Sequence, residues 1–269
     1  MIHVSCPMCE SKDSNSYDSE NGYTYEKCNS CKSIFLNPRP TEEERSRAVS
    51  YGMHPGTKTL NTTPPFSQNK VKVYLKCISD LKLSHHLKKG TKHLDIGAGN
   101  GEFIKAFNQF IPSDSVAIEP NTQKQVTLNT MGINIKEELN DCSDLDFISM
   151  LNVFSHLSKP RQTLGKIYAI LKPNGYMILQ TGDTSLCEPD QHYKPYLAPD
   201  HLLFTHKEKL VNLMEELGFS IISTQSYPSP YIKAWIKSIA KWILGRIPWA
   251  NLRYANMHSD LWILAKKNA

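Results

Sequence analysis

His93-Leu94-Asp95-Ile96-Gly97-Ala98-Gly99-Asn100-Gly101-Glu102-Phe103 reads as the end of a β-strand, a glycine turn and the first turn of a helix. Glycines at 97, 99 and 101 let the backbone turn sharply and let a ligand approach it closely. The helix amino terminus beyond them offers N–H groups to an anionic ligand group. An acid, Glu119, closes the next apolar run, Val116-Ala117-Ile118, about twenty residues on, where it suits the hydroxyls of a ribose. The spacing narrows the ligand. A phosphate loop needs Gly-Lys-Ser/Thr, which is absent, and a dinucleotide loop needs G-x-G-x-x-G, whereas this turn is G-x-G-x-G. Asp95, just before the turn, repels a pyrophosphate and attracts a cation.

Outward from this turn, short apolar runs alternate with helical patterns. Strands are expected at residues 93–96, 116–118, 133–135, 147–151, 176–179 and 219–222. Helices are expected at 103–110, 121–131, 158–171 and 205–217, with Gly132 and Gly218 as stops and Lys172-Pro173-Asn174-Gly175 as a break. Strands separated by helices of this length predict an α/β fold, a parallel sheet with helices on both faces. Ahead of it, Thr41 and Glu44 form a capping-box pattern, residues 52–69 read as a loop, and residues 70–87 carry apolar positions at helical spacing.

The first forty residues differ. They hold four of the seven cysteines and few aliphatic residues, and end at Asn37-Pro38-Arg39-Pro40, an extended exit. Cys6, Cys9, Cys28 and Cys31 form two C-x2-C knuckles eighteen residues apart, the spacing of a tetrahedral four-thiolate zinc site. Such a site is closed and structural, and its binding free energy becomes folding free energy for a segment too small to fold unaided. An odd cysteine count with two close pairs argues for a reducing compartment rather than a disulfide framework, and Cys77, Cys142 and Cys187 read as core or surface thiols.

Length and composition bound the rest. The chain has 269 residues, 40% hydrophobic and 21% charged, which is globular composition with room for about two domains. A net charge of +5 suits an acidic substrate but is too small to argue for nucleic acid. The apolar runs are too short for a membrane span, and no secretory leader is legible at this start, so the expected location is cytoplasmic.

Four stretches together carry a resemblance: Leu94 to Phe103, Ala117-Ile118-Glu119-Pro120-Asn121, the run Asp146 to Leu157, and the run Ala169 to Leu179. Residues 92 to about 224 resemble the class I S-adenosylmethionine-dependent methyltransferases. The resemblance implies a Rossmann-like seven-stranded sheet whose last strand, near residues 260–265, is antiparallel. It implies that Asp95, Gly97, Ala98, Gly99 and Gly101 shape the pocket for the methionine part of S-adenosylmethionine. It also implies that Glu119 and Pro120 serve the ribose, that Glu138 and Leu139 flank adenine, and that Leu151 and Asn152 close the pocket.

The whole architecture resembles the zinc-ribbon methyltransferases acting on small molecules: a ribbon over 1–40, a helical linker or cap over 41–89, and a methyltransferase domain over 90–269 with an insertion at 228–258. That resemblance implies a sugar or nucleotide-sugar acceptor, from surface polysaccharide or secondary metabolism. A ribosomal or transfer RNA methyltransferase and a non-enzymatic cofactor-binding module are the alternatives. The zinc segment of the RNA type usually has a histidine ligand and more basic residues.

Methyl transfer mainly requires alignment, and a hydroxyl or carbon acceptor also requires a base. His156, just past the fourth strand of the sheet, and His201, after the fifth, are the candidates. Gln180, Thr181 and Asp183 are placed to line the acceptor site, and His192, Tyr193 and Tyr196 to form a lid. Residues 231–247, with Trp235 and Ile239 on one face and Lys233, Lys237 and Lys241 on another, read as an amphipathic basic helix. It suits a packing face, a homodimer contact or a peripheral membrane contact.

Overall fold

The alternation around the glycine turn becomes a seven-stranded sheet. The structure is a computed structural model describing residues 1–50, 65–192, 194–228 and 259–269. The expected helix 231–247, nearly all of the insertion, most of the 52–69 loop and Tyr193 lie outside the described residues. In chain order the chain forms β1 (Ser14–Glu20), β2 (Tyr23–Cys28), β3 (Ile34–Leu36), α1 (Glu42–Ser50), α2 (Gln68–Asp80), β4 (Thr91–Ile96), α3 (Glu102–Phe110), β5 (Ser113–Ile118), α4 (Thr122–Thr130), β6 (Asn134–Ile135), β7 (Leu145–Leu151), α5 (Pro160–Ile170), β8 (Leu171–Gly182), β9 (Leu203–Phe204), α6 (Lys207–Glu216), β10 (Phe219–Pro228) and β11 (Ser259–Lys267).

The large sheet has the order β10-β11-β8-β7-β4-β5-β6. β4 pairs in parallel with β5 and β7, and β11 pairs antiparallel with both β8 and β10. The order reverses beside β4, and ligands of open α/β sheets bind at such a switch point, outside the carboxyl ends of the strands. Strands β4 and β7 are buried on both faces, as expected for the middle of a parallel sheet; β7 reads as a near-continuous apolar run, whereas β4 buries His93 and Asp95 among its apolar residues.

Local signals act as expected. Thr41 and Glu44 bond reciprocally, the Thr41 N–H donating to Glu44 Oε2 at 2.8 Å and the Glu44 N–H to Thr41 Oγ1 at 3.3 Å. Asn121 caps α4 by accepting from the N–H groups of Gln123 and Lys124 at 3.1 Å. Gly218 ends α6 at φ +97°. The break at residues 172–175 is part of β8: Leu145 pairs with Leu171 and Phe147 with Tyr176, so the four residues bulge out of one ladder. Helix α2 packs Val71, Cys77 and Ile78 on Phe103 and Phe107 of α3 and Trp262 of β11, within one core. None of the described helices is long and apolar enough to cross a membrane.

The amino-terminal ribbon is stitched to the large domain. Its sheet runs β1-β2-β3-β9, so its fourth strand comes from residues 203–204, far along the chain. Ile34 pairs with Phe204 and Phe35 with Leu203. Tyr25, Ile34, Phe35 and Leu36 share one buried cluster with Tyr196, Leu202, Leu203 and Phe204. His192 and Tyr196, expected in a lid, are instead buried; the His192 ring meets Tyr196 at 4.9 Å and Phe204 at 4.6 Å, and Tyr196 meets Tyr25 at 5.1 Å. The physical reason is aromatic burial: the ribbon is too small to cover its own tyrosines.

Phe35→Ala should therefore destabilise more than the ribbon. Loss of a fully buried aromatic side chain costs about 3–5 kcal/mol, and urea unfolding should show that loss in one cooperative transition. Two separate transitions, with the larger one unshifted, would mean that the ribbon folds independently of β9.

Candidate functional site

The glycine turn leaves the carboxyl end of β4 under tight steric control. The Gly97 N–H donates to the Ile118 carbonyl at 2.7 Å, tying the turn to the end of β5. Gly97 has φ +70°, and a Cβ there would lie 2.3 Å from Val153 Cγ2, so no larger residue fits. Gly101, at φ +81°, starts α3. Glu119 is 5% exposed; its Oε2 accepts from the Gly99 N–H at 2.7 Å and its Oε1 from the Asn121 N–H at 2.9 Å. A carboxylate oxygen accepts two bonds, so both oxygens keep capacity for hydroxyl donors.

Asp95 and Glu102 join Glu119 as buried acids around the same turn. Glu102 Oε1 accepts from the Ser67 N–H at 3.1 Å. Asp95 Oδ1 accepts from the Ser149 hydroxyl at 2.6 Å, while its Oδ2 is buried with no hydrogen-bond partner. Among the described residues no lysine or arginine forms an ion pair with any of the three. Burial pushes the Asp95 carboxyl up to about 7, helped by the charges of Glu119 and Glu102 and opposed by the Ser149 bond. Three buried acids, one with an unsatisfied oxygen and none ion-paired among the described residues, leave negative charge that a cationic ligand can balance.

Behind Asp95 lies a polar row that the sequence reading missed. His93 is fully buried, with Nε2 2.8 Å from Ser149 Oγ and Nδ1 2.9 Å from Ser115 Oγ. Ser115 Oγ lies 2.7 Å from Ser113 Oγ, which lies 2.5 Å from Asn108 Oδ1. The His93 ring stacks on Phe147 at 5.0 Å, and burial lowers its pKa to about 3, so it is neutral at physiological pH. Asp95 between Leu94 and Ile96, and Ser149 between Ile148 and Met150, polar residues inside apolar strands, were the available signal.

At the exit of β7, Asn152 adopts φ +58° and its N–H donates to the Gln180 carbonyl at 3.2 Å. Asparagine tolerates this conformation better than most residues. The chain then brings the two candidate histidines together: the rings of His156 and His201 are 4.7 Å apart, edge to face. His156 Nδ1 lies 3.0 Å from the Asp200 carbonyl oxygen and 3.3 Å from Asp200 Oδ1. The donor atoms of His156, Asp200 and His201 all lie within 4.8 Å of one another. Gln180 and Thr181 are buried, with Gln180 Oε1 lacking a partner, and Asp183 Oδ1 accepts from the Lys207 N–H at 3.0 Å at the start of α6. Glu138 is exposed and opens a short turn in which its N–H donates to Asp141 at 3.0 Å; Leu139 packs on the core beside it. Pro120 follows Glu119, and Leu151 is buried at the end of β7.

A family model described as a methyltransferase domain matches residues 72–224, more than half of the chain. The chain belongs to this methyltransferase family. An uncharacterised methyltransferase from Schizosaccharomyces pombe is 25% identical over 154 residues, covering 48% of this chain and 51% of the relative. The chain thus matches about half the length of that curated relative. Solved structures share the fold. A putative sarcosine dimethylglycine methyltransferase from Galdieria sulphuraria superposes with a TM-score of 0.55 at 19% identity, covering 74% of this chain and 86% of that one. Phosphoethanolamine N-methyltransferase 2 from Haemonchus contortus, in complex with S-adenosyl-L-methionine, gives 0.56 at 13% identity, covering 88% and 62%. The cyclopropane synthase MmaA2 from Mycobacterium tuberculosis gives 0.53 at 15% identity, covering 77% and 100%.

The ribbon beside the methyltransferase domain gathers its four thiols. Cys6 Sγ is 3.5 Å from Cys31 Sγ and Cys9 Sγ 3.6 Å from Cys28 Sγ, with all four within 4.8 Å of one another. Tetrahedral zinc at about 2.3 Å from each sulfur sets them about 3.8 Å apart, so the cluster fits that ion. Each knuckle is a turn closed by a backbone bond, Glu10 N–H to the Cys6 carbonyl at 2.8 Å and Lys32 N–H to the Cys28 carbonyl at 3.0 Å. Hydrogen bonds from Cys6 and Ser33 lower the Cys31 thiol below its usual range, favouring a thiolate in the cluster. Cys77, Cys142 and Cys187 are buried and lie outside it.

A cation brought beside Asp95 favours its carboxylate, so binding releases a proton from a group with a raised pKa. S-adenosylmethionine affinity should rise as pH passes upward through about 7 and fall below it. Calorimetry across that range, with Asp95→Asn as the reference, should show this component only in the unaltered chain. Parallel pH profiles for the two proteins would remove Asp95 from the binding equilibrium.

Proposed function

We propose that this chain transfers a methyl group from S-adenosylmethionine to a small-molecule acceptor, a sugar or nucleotide-linked sugar, and that zinc in the ribbon is structural. The observation that carries the cofactor assignment is the unpaired acidic cradle of Asp95, Glu102 and Glu119 around the glycine turn. It suits the ammonium and sulfonium charges of that cofactor, and Glu119 suits its ribose. When bound, the cofactor supplies an electrophilic methyl group at the carboxyl edge of the sheet.

The chain's own contribution at that edge is alignment and a base. With its proton on Nδ1, facing the carbonyl and carboxylate of Asp200, His156 keeps a lone pair on Nε2. That lone pair would take the proton of an acceptor hydroxyl or acidic carbon as the new bond to carbon forms. His201, edge to face with His156, would orient the acceptor or share the proton. The modest charge of the chain and the four-cysteine ribbon favour a small acceptor over RNA.

Zinc acts here through folding. It would hold the ribbon, and the ribbon holds the histidine loop: the Tyr25 hydroxyl donates to the His201 carbonyl at 2.7 Å. Metal analysis of the purified chain should return one zinc, reduced in Cys9→Ser. Retention of full zinc by that variant would show that the cluster is not the ligand set.

Glu119→Ala should weaken S-adenosylmethionine binding by about 1.5–3 kcal/mol, the range for hydrogen bonds to a charged group. His156→Ala should leave that affinity unchanged and lower kcat by roughly 10²–10⁴-fold. Wild-type cofactor affinity in Glu119→Ala would overturn the cofactor site, whereas near-normal kcat in His156→Ala would overturn only the base.

A further inference from the structure

A second cleft lies away from the acidic cradle, between the start of the ribbon and the start of α5. Its volume is about 550 Å³, within the usual range for small-ligand sites. Arg39 on the ribbon side and Lys159, Arg161 and Gln162 on the helix side line it, and Glu10 is the single carboxylate among its lining residues. Cys6 of the cysteine cluster also lines it, so the positive groups are gathered on the side of Arg39 and the start of α5.

Two independent features of this cleft point to an anion. Arg39 is only 8% exposed, and among the described residues the bond its side chain makes is from Nη1 to the Ser158 carbonyl at 3.1 Å. A guanidinium carries five N–H donors, and a buried one normally faces a carboxylate or phosphate. Instead, burial lowers the Arg39 pKa and the nearby charge of Arg45 adds to this, against the weaker pull of Glu42. Arg45 itself pairs with Glu42 at 3.0 Å.

The second feature is the helix start. Helix α5 has eleven residues, its N-cap is Lys159, and no side chain caps it. Pro160 has no N–H to offer, so the unfilled donors of the first turn are those of Arg161 and Gln162, both lining residues. An uncapped helix start carries a partial positive charge that stabilises anions. Arg161 also pairs with Glu216 of α6, so Arg39 and Lys159 carry most of the uncompensated charge.

We propose that this cleft binds a phosphoryl group, a phosphate or diphosphate, between the Arg39 guanidinium and the amino terminus of α5. The position gives the site its use. Ser158 is two residues beyond His156, and Arg45 donates to the His156 carbonyl from the same side. A diphosphate held here would leave its attached group within reach of the carboxyl edge of the sheet. The link to the acceptor rests on the methyl-transfer reading; binding of the anion does not.

The test is calorimetry on the full chain with inorganic pyrophosphate, without cofactor. Arg39→Gln should weaken binding by roughly ten- to a hundredfold, as expected for a lost charge-assisted pair. Lys159→Glu, an exposed position that cannot unfold the core, should weaken it by roughly threefold or more. Both variants should keep wild-type affinity for S-adenosylmethionine. Absence of pyrophosphate binding overturns the proposal, as does binding unchanged in Lys159→Glu, which decides the matter should Arg39→Gln misfold.

A second arm separates the sources of the phosphoryl group. Methyl transfer is measured to nucleoside diphosphate hexoses and to the same hexoses unphosphorylated. Transfer to the nucleotide forms alone, diminished in Lys159→Glu, makes the anion part of the acceptor. Pyrophosphate binding that leaves transfer to every tested acceptor unaffected makes it a free phosphate. A chain that binds pyrophosphate but no S-adenosylmethionine keeps this site and loses the methyl-transfer reading.

Discussion

Among the described glycines, the tightest approach is that of Gly97 to Val153. The turn after β4 and the exit of β7 approach so tightly that a single added carbon would overlap Val153 by more than an ångström of ordinary contact distance. Everything at the carboxyl edge depends on this approach. It holds the turn against the end of β5, where Glu119 stands, and fixes where the chain leaves β7 before reaching His156. The acidic cradle and the histidine pair are two sides of one junction, where the Val153 side chain fills the space that a Cβ at position 97 would need.

The ribbon extends the same logic outward. Its strand β3 pairs with β9, the Leu36 N–H donates to the Leu202 carbonyl at 2.9 Å, and the Leu202 N–H donates to the Ser155 carbonyl at 2.8 Å. Ribbon, histidine loop and β7 exit are therefore joined by consecutive backbone hydrogen bonds. A ribbon placed this way is a brace: its strand β3 pairs with a strand that begins two residues after His201.

Much of this was legible because local signals and long-range packing agree. The glycine turn, Glu119 twenty residues later, the capping residues Thr41 and Asn121, and the cysteine spacing each have one mechanism, and each is found in its expected place. What was hidden depends on tertiary partners. Strand β9 is two residues long, Leu203 and Phe204, too short for any period to show. His192 and Tyr196 sit among loop-forming residues, and nothing local says that ribbon tyrosines cover them. Arg39 reads as part of a proline-bounded exit, and its burial appears only once residue 158 is packed against it. His93 reads as an ordinary strand position, because its polar partners come from two neighbouring strands.

The row behind Asp95 has a direction, set by counting hydrogens. Each serine has one hydrogen to donate, and neutral His93 has one N–H and one acceptor nitrogen. With Asp95 ionised, Ser149 donates to it, so His93 carries its proton on Nε2 and its Nδ1 accepts from Ser115. Ser113 then has one hydrogen for two acceptors, Ser115 Oγ at 2.7 Å and Asn108 Oδ1 at 2.5 Å. With the proton on Asp95 Oδ1, every donor reverses: Ser149 turns to Nε2, the ring carries its proton on Nδ1, and Ser113 donates to Asn108. The buried imidazole thus exchanges one tautomer for the other without ever becoming charged. A cation entering beside Asp95 draws one hydrogen out of this row, so ionisation leaves one of its five contacts, at Ser113, without a hydrogen, and only the protonated acid satisfies every member.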